Sequence, residues 1–332
     1  MSARTHRLAI AGASGLLGND LKQLLEEGPF AADLRLLDED LVAGTLTEAG
    51  GEAAVIQRVE EDSFTHAEIV FLAGSPEFTR QCYPAARASG AAVIDLSGGL
   101  LEIPGARSWI PRLDDCLAEP TEAKAALYLS PCAGTIICCT LAAALSSAGA
   151  QLQVVNLFQP VSESGRAGVE ELESQATQLL SFQPLAQATF DTQVAFNLLD
   201  RFGDDSSQKL SQTRRRIVAE TKLALRGRIP SPALQLLHAP VFHGTAFSAF
   251  AVFSPRVGEE QMVKSLRQAG VVLGEPGGAS PSNVSVAGES CVHLAHPRAD
   301  EAFPGGRWFW GAADNLRLSA ANAVAVAEKL LS

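Results

Sequence analysis

The chain lacks a surplus of positive charge and a long apolar run. It has 26 Lys and Arg against 37 Asp and Glu, a formal net charge of −11. Such a charge repels phosphate backbones and anionic lipids, so we expect no nucleic acid partner and no membrane partner. Eighteen consecutive apolar residues occur nowhere, and the first twenty residues lack the apolar core and cleavage site of a secretory signal. We therefore expect a soluble, cytoplasmic protein that binds small molecules or other proteins.

The sequence also lacks a paired-cysteine motif. Its six cysteines form no CxxC pair, and its histidines do not have a spacing suited to zinc. We therefore predict reduced thiols and no metal site. The six are Cys82, Cys116, Cys132, Cys138, Cys139 and Cys291.

What is present is enough apolar sequence for two cores, since 47% of the 332 residues are hydrophobic. In the N-terminal half, the buried-strand patterns RLAIAG, LRLLD, AEIVFLAG and AAVIDLS alternate with helical patterns at 16–25 and 77–88. This alternation predicts an α/β fold, a Rossmann-like doubly wound parallel sheet.

The second half has a different pattern. A strand pattern, QLQVVNLFQPVS, precedes helical patterns at 168–180 and 211–225, and two further strand patterns, LQLLHAPVFHG and AFSAFAVFS, follow each other without a helix between them. This order predicts a second, α+β domain with a mixed or antiparallel sheet. An alanine-rich helical pattern at 315–331 ends the chain.

A glycine motif follows the first strand pattern and opens the first helix. Gly12, Gly15 and Gly18 have the spacing that allows a tight turn, close approach to a pyrophosphate and close helix packing. The predicted cofactor-binding residues are Gly12, Ala13, Ser14, Gly15, Leu16 and Leu17. The alternative is a tight turn with a structural role alone.

Three acids end the second strand pattern: Asp38, Glu39 and Asp40. A carboxylate in this position accepts hydrogen bonds from the adenosine ribose and repels a 2′-phosphate. We therefore predict that Asp38 binds cofactor and favours NAD over NADP, although a solvated acidic turn would have the same composition.

Several stretches together resemble the aspartate-semialdehyde dehydrogenase family. AGASGLLG is similar to its cofactor loop, FQPVSESGRAGVEEL to its segment YQAVSGAGxxGxxEL, and DNLRLSAANAVAVAEKL to its C-terminal helix, while VAFNLLDRFG and AETKLALRG resemble its helical middle. The resemblance implies a discontinuous dinucleotide-binding domain, 1–133 with 313–332, and a substrate and dimerisation domain, 134–312. It also implies a homodimer built on the second sheet, and it adds Asn315 to the cofactor-binding residues.

Enzymes of this family use a cysteine nucleophile, a histidine base, arginines that hold substrate carboxylate and phosphate, and NADP as hydride acceptor. The family motif NPxC-ST-I aligns with 130–136, which places Ala133 in the nucleophile position. Cys132 stands one residue earlier. It is either a buried apolar residue or a displaced nucleophile.

The histidine and arginine positions differ as well. The family motif RVPVxxGH resembles HAPVFHGT. This alignment places Thr245 at the position of the histidine base and His238 at the position of the carboxylate-binding arginine. His243 could be a displaced base, because residues two apart share one face of a strand, or a structural histidine. His238 could still pair with an anion.

The remaining anion sites are altered too. Leu101 stands where the family has a phosphate-binding arginine, and around 214–216 only Glu220 and Lys222 remain recognisable from an acidic and lysine motif. Gln159, which resembles the glutamine that orients the family's thioester intermediate, is kept.

The sequence therefore predicts a dinucleotide-binding homodimer, related to aspartate-semialdehyde dehydrogenase, that has lost the dehydrogenase reaction and has a binding or regulatory role. NAD or NADP is the predicted cofactor. The alternative is an active NAD(P)-dependent aldehyde or semialdehyde dehydrogenase that uses the displaced nucleophile Cys132 with His243, and Gln159 is the third candidate catalytic residue.

Overall fold

The computed structural model describes residues 5–28, 30–40, 42–49, 52–117, 125–254 and 257–332. These residues form two compact units. The first contains the described residues up to Asp114, residues 125–132 and Ser319–Ser332, and the second contains 115–117 and Ala133–Leu318.

The first unit contains the N-terminal elements and most of the last helix. Its strands are β1 His6–Ala11, β2 Ala32–Asp38, β3 Leu46–Ala49, β4 Glu52–Val55, β5 Gln57–Arg58, β6 Ile69–Leu72, β7 Ala92–Asp95, β8 Arg107–Ser108 and β9 Leu127–Leu129. Its helices are α1 Leu16–Glu26 and α2 Pro76–Ala88, and α3 Asp114–Leu117 lies at its boundary.

Among the described residues, seven strands form one parallel sheet in the order β5-β2-β1-β6-β7-β9-β8. Both faces of β1 are buried: Leu8 and Ile10 belong to one apolar cluster with α1 and the C-terminal helix, whereas Ala9 and Ala11 belong to another with α2. Burial on both faces explains why the strand patterns are continuous rather than alternating. The Rossmann-like parallel sheet predicted from the sequence is confirmed.

The second unit is built around a mixed sheet. Its elements are α4 Ala133–Ser147, β10 Ala150–Gln159, α5 Gly165–Leu180, α6 Leu210–Leu225, β11 Ala233–His238, β12 Thr245–Phe253, α7 Glu259–Gln268, β13 Val272–Leu273, β14 His293–Leu294, β15 Arg298–Ala299, β16 Gly306–Ala313 and the start of α8 Asn315–Leu331. The strand order is β11-β10-β12-β16-β14-β13, with β15 paired to β16.

The mixed sheet is confirmed, but the two strands that follow each other in sequence do not pair. β10 lies between them, parallel to β11 and antiparallel to β12. The buried face of β10 includes Leu157, which packs beside α4 and α6 near Gly134 and Ile217. β10 therefore occupies the position that a direct hairpin between β11 and β12 would need.

Helix α4 is almost entirely buried, and Cys138 and Cys139 are 1% and 0% exposed within it. Burial raises the pKa of the Cys138 thiol to about 12. These two thiols are core residues of the second unit. In the described part of the chain, no helix is long and apolar enough to cross a membrane, and no group of three or more His, Cys, Asp or Glu could hold a metal ion.

Candidate functional site

The glycine loop joins β1 to α1 in a conformation that excludes side chains at two positions. Gly12 has φ +91°, and a Cβ there would lie 2.3 Å from the backbone nitrogen of Gly74. A Cβ on Gly18 would lie 2.1 Å from the Gly12 carbonyl oxygen. The amides of Gly12 and Ala13 donate to the Leu37 carbonyl oxygen at 2.9 and 3.1 Å, which holds the loop against β2.

Helix α1 begins directly after this loop. Its N-cap is Gly15, which supplies no side-chain hydrogen bond to the first turn. A helix N-terminus carries partial positive charge and amide donors, so phosphate oxygens are suited to bind there. The loop and helix start therefore fit a pyrophosphate group, and cofactor binding by the residues from Gly12 to Leu17 stays a prediction.

Asp38 ends β2 beside the loop and is 7% exposed. Its carboxylate accepts hydrogen bonds from the Ser14 amide at 2.7 Å and the Glu39 amide at 2.9 Å. These bonds fix the carboxylate next to the position at which a ribose would follow the pyrophosphate.

The pocket beside Asp38 has a volume of about 570 Å³ and a strongly acidic lining. Among the described lining residues its one guanidinium, Arg58, is paired with Asp40 at 2.9 Å. Burial, together with the charges of Asp38 and Glu39, raises the pKa of the lining Cys82 thiol to about 12. The pocket fits a neutral nucleoside better than a phosphorylated one. Its four carboxylates are those of Asp38, Glu39, Asp40 and Glu77.

The nucleophile position lies where α4 begins. Ala133 is the first residue of the helix and is 0% exposed. Cys132 precedes it, outside the helix, and its side chain is partly exposed. Ala133, which aligns with the family's nucleophile, is therefore buried, whereas the neighbouring Cys132 is partly exposed.

The base position lies where β12 begins. Thr245 is the first strand residue and is 4% exposed, whereas His243 precedes the strand and is exposed. Gly244 between them has φ +82°, a left-handed conformation that interrupts the alternation of a strand. The expectation that His243 and Thr245 share one strand face is wrong for this reason.

His238 is a core residue, so the expectation that it pairs with an anion is also wrong. It is 1% exposed, and its ring lies 6.1 Å from the Phe190 ring and 5.5 Å from the Phe202 ring, centroid to centroid. Its Nε2 lies 3.4 Å from the Val194 carbonyl oxygen. Desolvation lowers the pKa of His238 to about 4, against a smaller opposing effect of that hydrogen bond. The imidazole is neutral near pH 7.

Leu101, which aligns with the family's phosphate-binding arginine, follows a tight turn after β7. Leu101 is partly buried against the apolar cluster that contains α2. The turn before it is held by Asp95, which is 1% exposed and accepts hydrogen bonds from the Ser97 amide, the Ser97 hydroxyl and the Leu100 amide at 2.7, 2.7 and 2.9 Å. A carboxylate closes this turn, so an anion is disfavoured there.

The second unit contains a polar cluster around Asn315, the first residue of α8. Asn315 is 1% exposed. Its Oδ1 accepts from the Gly244 amide at 3.0 Å, and its Nδ2 donates to Glu163 Oε1 at 2.9 Å. Ser162 Oγ lies 3.1 Å from Nδ2 and 3.3 Å from Oδ1. The protein itself therefore engages both ends of this side-chain amide.

Glu163 is a functional candidate that the sequence alone did not single out. It follows β10 and Gln159, itself 7% exposed, in a short 3₁₀ turn, and its own side chain is exposed. Although the residue is exposed as a whole, desolvation of its carboxyl raises the pKa of that group, and the charge of Glu220 adds to the rise. The Asn315 hydrogen bond and the charge of Arg216 oppose it. The signal was available, because FQPVSESG has a glutamate where the family segment YQAVSGAG has glycine.

Glu220 anchors α6 to α4 within the same unit. It is 2% exposed, accepts from Arg216 Nε at 2.7 Å, and accepts from Thr135 Oγ1 at 2.7 Å. A buried carboxylate with a guanidinium and a hydroxyl partner is a satisfied structural group. Its partners give Glu220 a structural role in joining α6 to α4.

Comparison with known proteins gives one family over most of the chain. Residues 7–102 match the profile described as "Semialdehyde dehydrogenase, NAD binding domain", and residues 141–318 match "Semialdehyde dehydrogenase, dimerisation domain". A USG-1 protein homolog from Azotobacter vinelandii is 32% identical over 98% of this chain and 97% of its own length.

Two solved structures are similar over 99% of both chains. A probable aspartate-semialdehyde dehydrogenase from Pseudomonas aeruginosa has a TM-score of 0.85 at 30% identity. Aspartate semialdehyde dehydrogenase II from Vibrio cholerae has a TM-score of 0.87 at 26% identity. The chain belongs to the aspartate-semialdehyde dehydrogenase family.

Proposed function

We propose that this protein is a dinucleotide-binding homodimer that has lost the semialdehyde dehydrogenase reaction and has a binding or regulatory role. The observation that carries the proposal is the state of the nucleophile position, where the buried Ala133 supplies no reactive group. Cys138 and Cys139 in the same helix are buried in the core. Without a covalent nucleophile, a thioester mechanism loses many orders of magnitude in rate.

The loss extends to substrate binding. Thr245 at the base position has no proton-accepting group near neutral pH, and His238 at the arginine position is neutral and enclosed by Phe190 and Phe202. A substrate carboxylate would therefore meet no cation from this position. The residues at three separate positions, Ala133, Thr245 and His238, all support loss of the reaction. A change at one position alone would not support it as strongly.

Nucleotide binding is supported by the first unit. The close approaches of Gly12 and Gly18 fit a pyrophosphate, and Asp38 fits the ribose hydroxyls, which leaves the nicotinamide for other residues. Asn315 is a proposed cofactor-binding residue on the family resemblance alone, because its amide is bonded within the second unit to Gly244, Ser162 and Glu163. When bound, the nicotinamide would supply hydride chemistry. The acidic pocket beside Asp38 favours NAD as the occupant.

The test of the lost reaction is a phosphate-dependent oxidation of aspartate semialdehyde, with NAD and with NADP, followed by absorbance of the reduced nicotinamide. We expect no turnover above the protein-free blank with either cofactor. Cys132→Ala is measured beside the natural chain. Turnover that Cys132→Ala abolishes would overturn the proposal.

Such an outcome would favour the second candidate, an NAD(P)-dependent aldehyde or semialdehyde dehydrogenase that uses Cys132 and His243. The observation in its favour is exposure, because Cys132 is partly exposed and His243 is exposed, whereas both aligned positions are buried. A His243→Asn variant separates the roles: a displaced base predicts a large loss of kcat, and an uninvolved surface histidine predicts none.

The homodimer is supported by the open face of the second sheet as well as by the match to a dimerisation domain. Register places Val154, Phe250 and Trp308 side by side, and the next row contains Asn156, Ser248 and Trp310. Residues on this face are half-buried or exposed, in alternation with the buried face of β12. An aromatic surface of this kind is typical of an interface between copies of one chain.

A single substitution should separate the copies. Ser248→Arg places a charge in the middle of the open face without removing any apolar side chain, and we expect the dimer to become a monomer in size-exclusion chromatography with light scattering. Ser181→Arg, at the exposed end of α5, is the matched control and should leave the dimer intact. A Ser248→Arg protein that stays dimeric would place the interface elsewhere.

A further inference from the structure

One end of the second unit's sheet has three buried side chains in a row. Gln159 is the last residue of β10, and the parallel register of β10 with β11 places His238 beside it. On the other side, the antiparallel register that pairs Phe158 with Ala246 places Thr245 opposite Gln159. Gln159, His238 and Thr245 all lie within the second unit. A ligand at this end of the sheet would therefore contact Gln159 and Thr245 together.

Two members of this row have polar groups without a partner. Gln159 is 7% exposed and Thr245 is 4% exposed. In the described part of the chain, neither side chain makes a hydrogen bond or an ion pair, and their polar atoms are not fully enclosed. Side chains buried to this extent usually have their polar groups bonded. An amide and a hydroxyl without partners, side by side, indicate a place for a polar ligand.

Glu163 adds a carboxylate beside the row. Its Oε1 accepts from Asn315 Nδ2 at 2.9 Å, and Asn315 Oδ1 accepts at 3.0 Å from the amide of Gly244, the residue before Thr245. Asn315 therefore fixes the carboxylate next to the start of β12. Within the described residues, the second carboxylate oxygen of Glu163 makes no hydrogen bond.

The charges around Glu163 favour a cation as the ligand. Among the described residues, Arg216 is the cation that acts on its carboxyl, and Arg216 Nε donates to Glu220 at 2.7 Å. Two carboxylates therefore share one guanidinium. Desolvation raises the pKa of the Glu163 carboxyl, because its negative charge is not fully compensated. His238 adds no positive charge to the row, since it is neutral near pH 7.

We propose that Glu163, Gln159 and Thr245 bind a primary ammonium group, so that the ligand class of this site is a small organic amine without a carboxylate or a phosphate. An ammonium has three donors and no acceptor, and these side chains offer carboxylate, amide and hydroxyl oxygens. Glu163 determines the specificity, because its bond to the ammonium is charge-assisted. This inference deepens the proposed binding role and rests on the proposed loss of the dehydrogenase reaction.

The test is a titration of the full chain with n-butylamine, n-butanol and butyrate, followed by ligand-observed NMR at constant ionic strength. These probes share one apolar tail and differ in charge. We expect n-butylamine to bind at least tenfold more tightly than n-butanol, and butyrate to bind more weakly than n-butanol. Glu163→Gln keeps an oxygen that accepts from Asn315 and should weaken binding of n-butylamine at least tenfold, with n-butanol unchanged.

Two further variants separate a direct contact from a general effect of charge. Glu170→Gln removes the same charge from the exposed face of α5 and should leave the affinity for n-butylamine unchanged. Thr245→Val removes the hydroxyl at nearly constant volume and should weaken binding of n-butylamine by about threefold, as expected for one neutral hydrogen bond. Circular dichroism verifies that each variant is folded.

Failure of this inference is distinct from failure of the proposed function. If n-butylamine does not bind, if n-butanol or butyrate binds as tightly, or if Glu163→Gln and Glu170→Gln have equal effects, the ammonium site is wrong. The proposed loss of the reaction would then stand, because it is tested by turnover of aspartate semialdehyde. Turnover that depends on Cys132 would overturn the proposed function, and this inference would fail with it.

Discussion

NAD should bind this protein at least a hundredfold more tightly than NADP. Asp38 is fixed by the Ser14 and Glu39 amides, and Glu39, Asp40 and Glu77 line the same pocket. The 2′-phosphate of NADP would add about two negative charges among these carboxylates. A hundredfold ratio corresponds to about 2.7 kcal/mol, less than the roughly 4 kcal/mol for one pair of charges 4 Å apart at an effective dielectric of 20.

Asp38→Asn is the variant that tests the cause. The asparagine oxygen can still accept from the Ser14 amide, so the loop is preserved while the charge is removed. We expect the ratio of NADP to NAD dissociation constants to fall by about tenfold, since one of several carboxylates is neutralised. The measurement is a fluorescence titration with the reduced forms at low and high salt, and the discrimination should weaken with salt.

Asp33→Asn is the matched control, because Asp33 is exposed on the same strand β2 but lies near its start, away from the pocket. It removes the same charge from the protein and should leave the ratio unchanged. Tighter binding of NADP than of NAD by the natural protein would contradict the electrostatic argument as a whole.

The sequence predicted the fold where local patterns are sufficient. Four consecutive apolar residues in β1 and in β6 require burial on both faces, and close backbone contacts require glycine at Gly12, after β1, and at Gly18, in α1. The separation of β11 from β12 by β10 was not predictable in this way. The strand beside β11 is β10, which comes much earlier in the chain. No local sequence pattern around β11 encodes a partner so far away.

In the candidate site, too, residue identities could be predicted from the sequence and long-range contacts could not. The proposal that Ala133 stands in the nucleophile position needs only the aligned motif, because it concerns residue identity alone. The environment of His238 could not, since Phe190 and Phe202 come from a separate segment that the fold brings to its ring. The contact of Glu163 with Asn315 had a visible signal, a glutamate in a glycine position, but its partner was set by tertiary structure.

The second large effect expected is an acid-dependent loss of stability caused by His238. Its pKa is about 4 in the folded protein against 6.5 for an exposed histidine. Between these values the unfolded chain binds a proton that the folded protein does not, so the free energy of unfolding falls as the pH is lowered. The contribution of neutral His238 to the free energy of unfolding amounts to about 3 kcal/mol. It is fully present above pH 6.5 and is lost as the pH falls to about 4.

Other groups titrate in the same range, so the effect is read as a difference between variants. His238→Leu places an apolar side chain in the aromatic environment and removes the titrating ring. The measurement is urea unfolding at about pH 7 and about pH 4.5, at one protein concentration. The free energy of unfolding should fall less between these two pH values than it does in the natural protein. His243→Leu is the matched control, because His243 is exposed and its removal should leave the acid loss unchanged.

His238→Arg tests whether the position can still hold a cation. It restores the family's residue at the carboxylate-binding position, but it would place a guanidinium between Phe190 and Phe202 without an anionic partner in the contacts of the present ring. We expect it to lower the free energy of unfolding by about 3–5 kcal/mol, the cost of an uncompensated buried charge. If the stability of His238→Arg is unchanged, the position can open to solvent. A substrate carboxylate could then still be bound there.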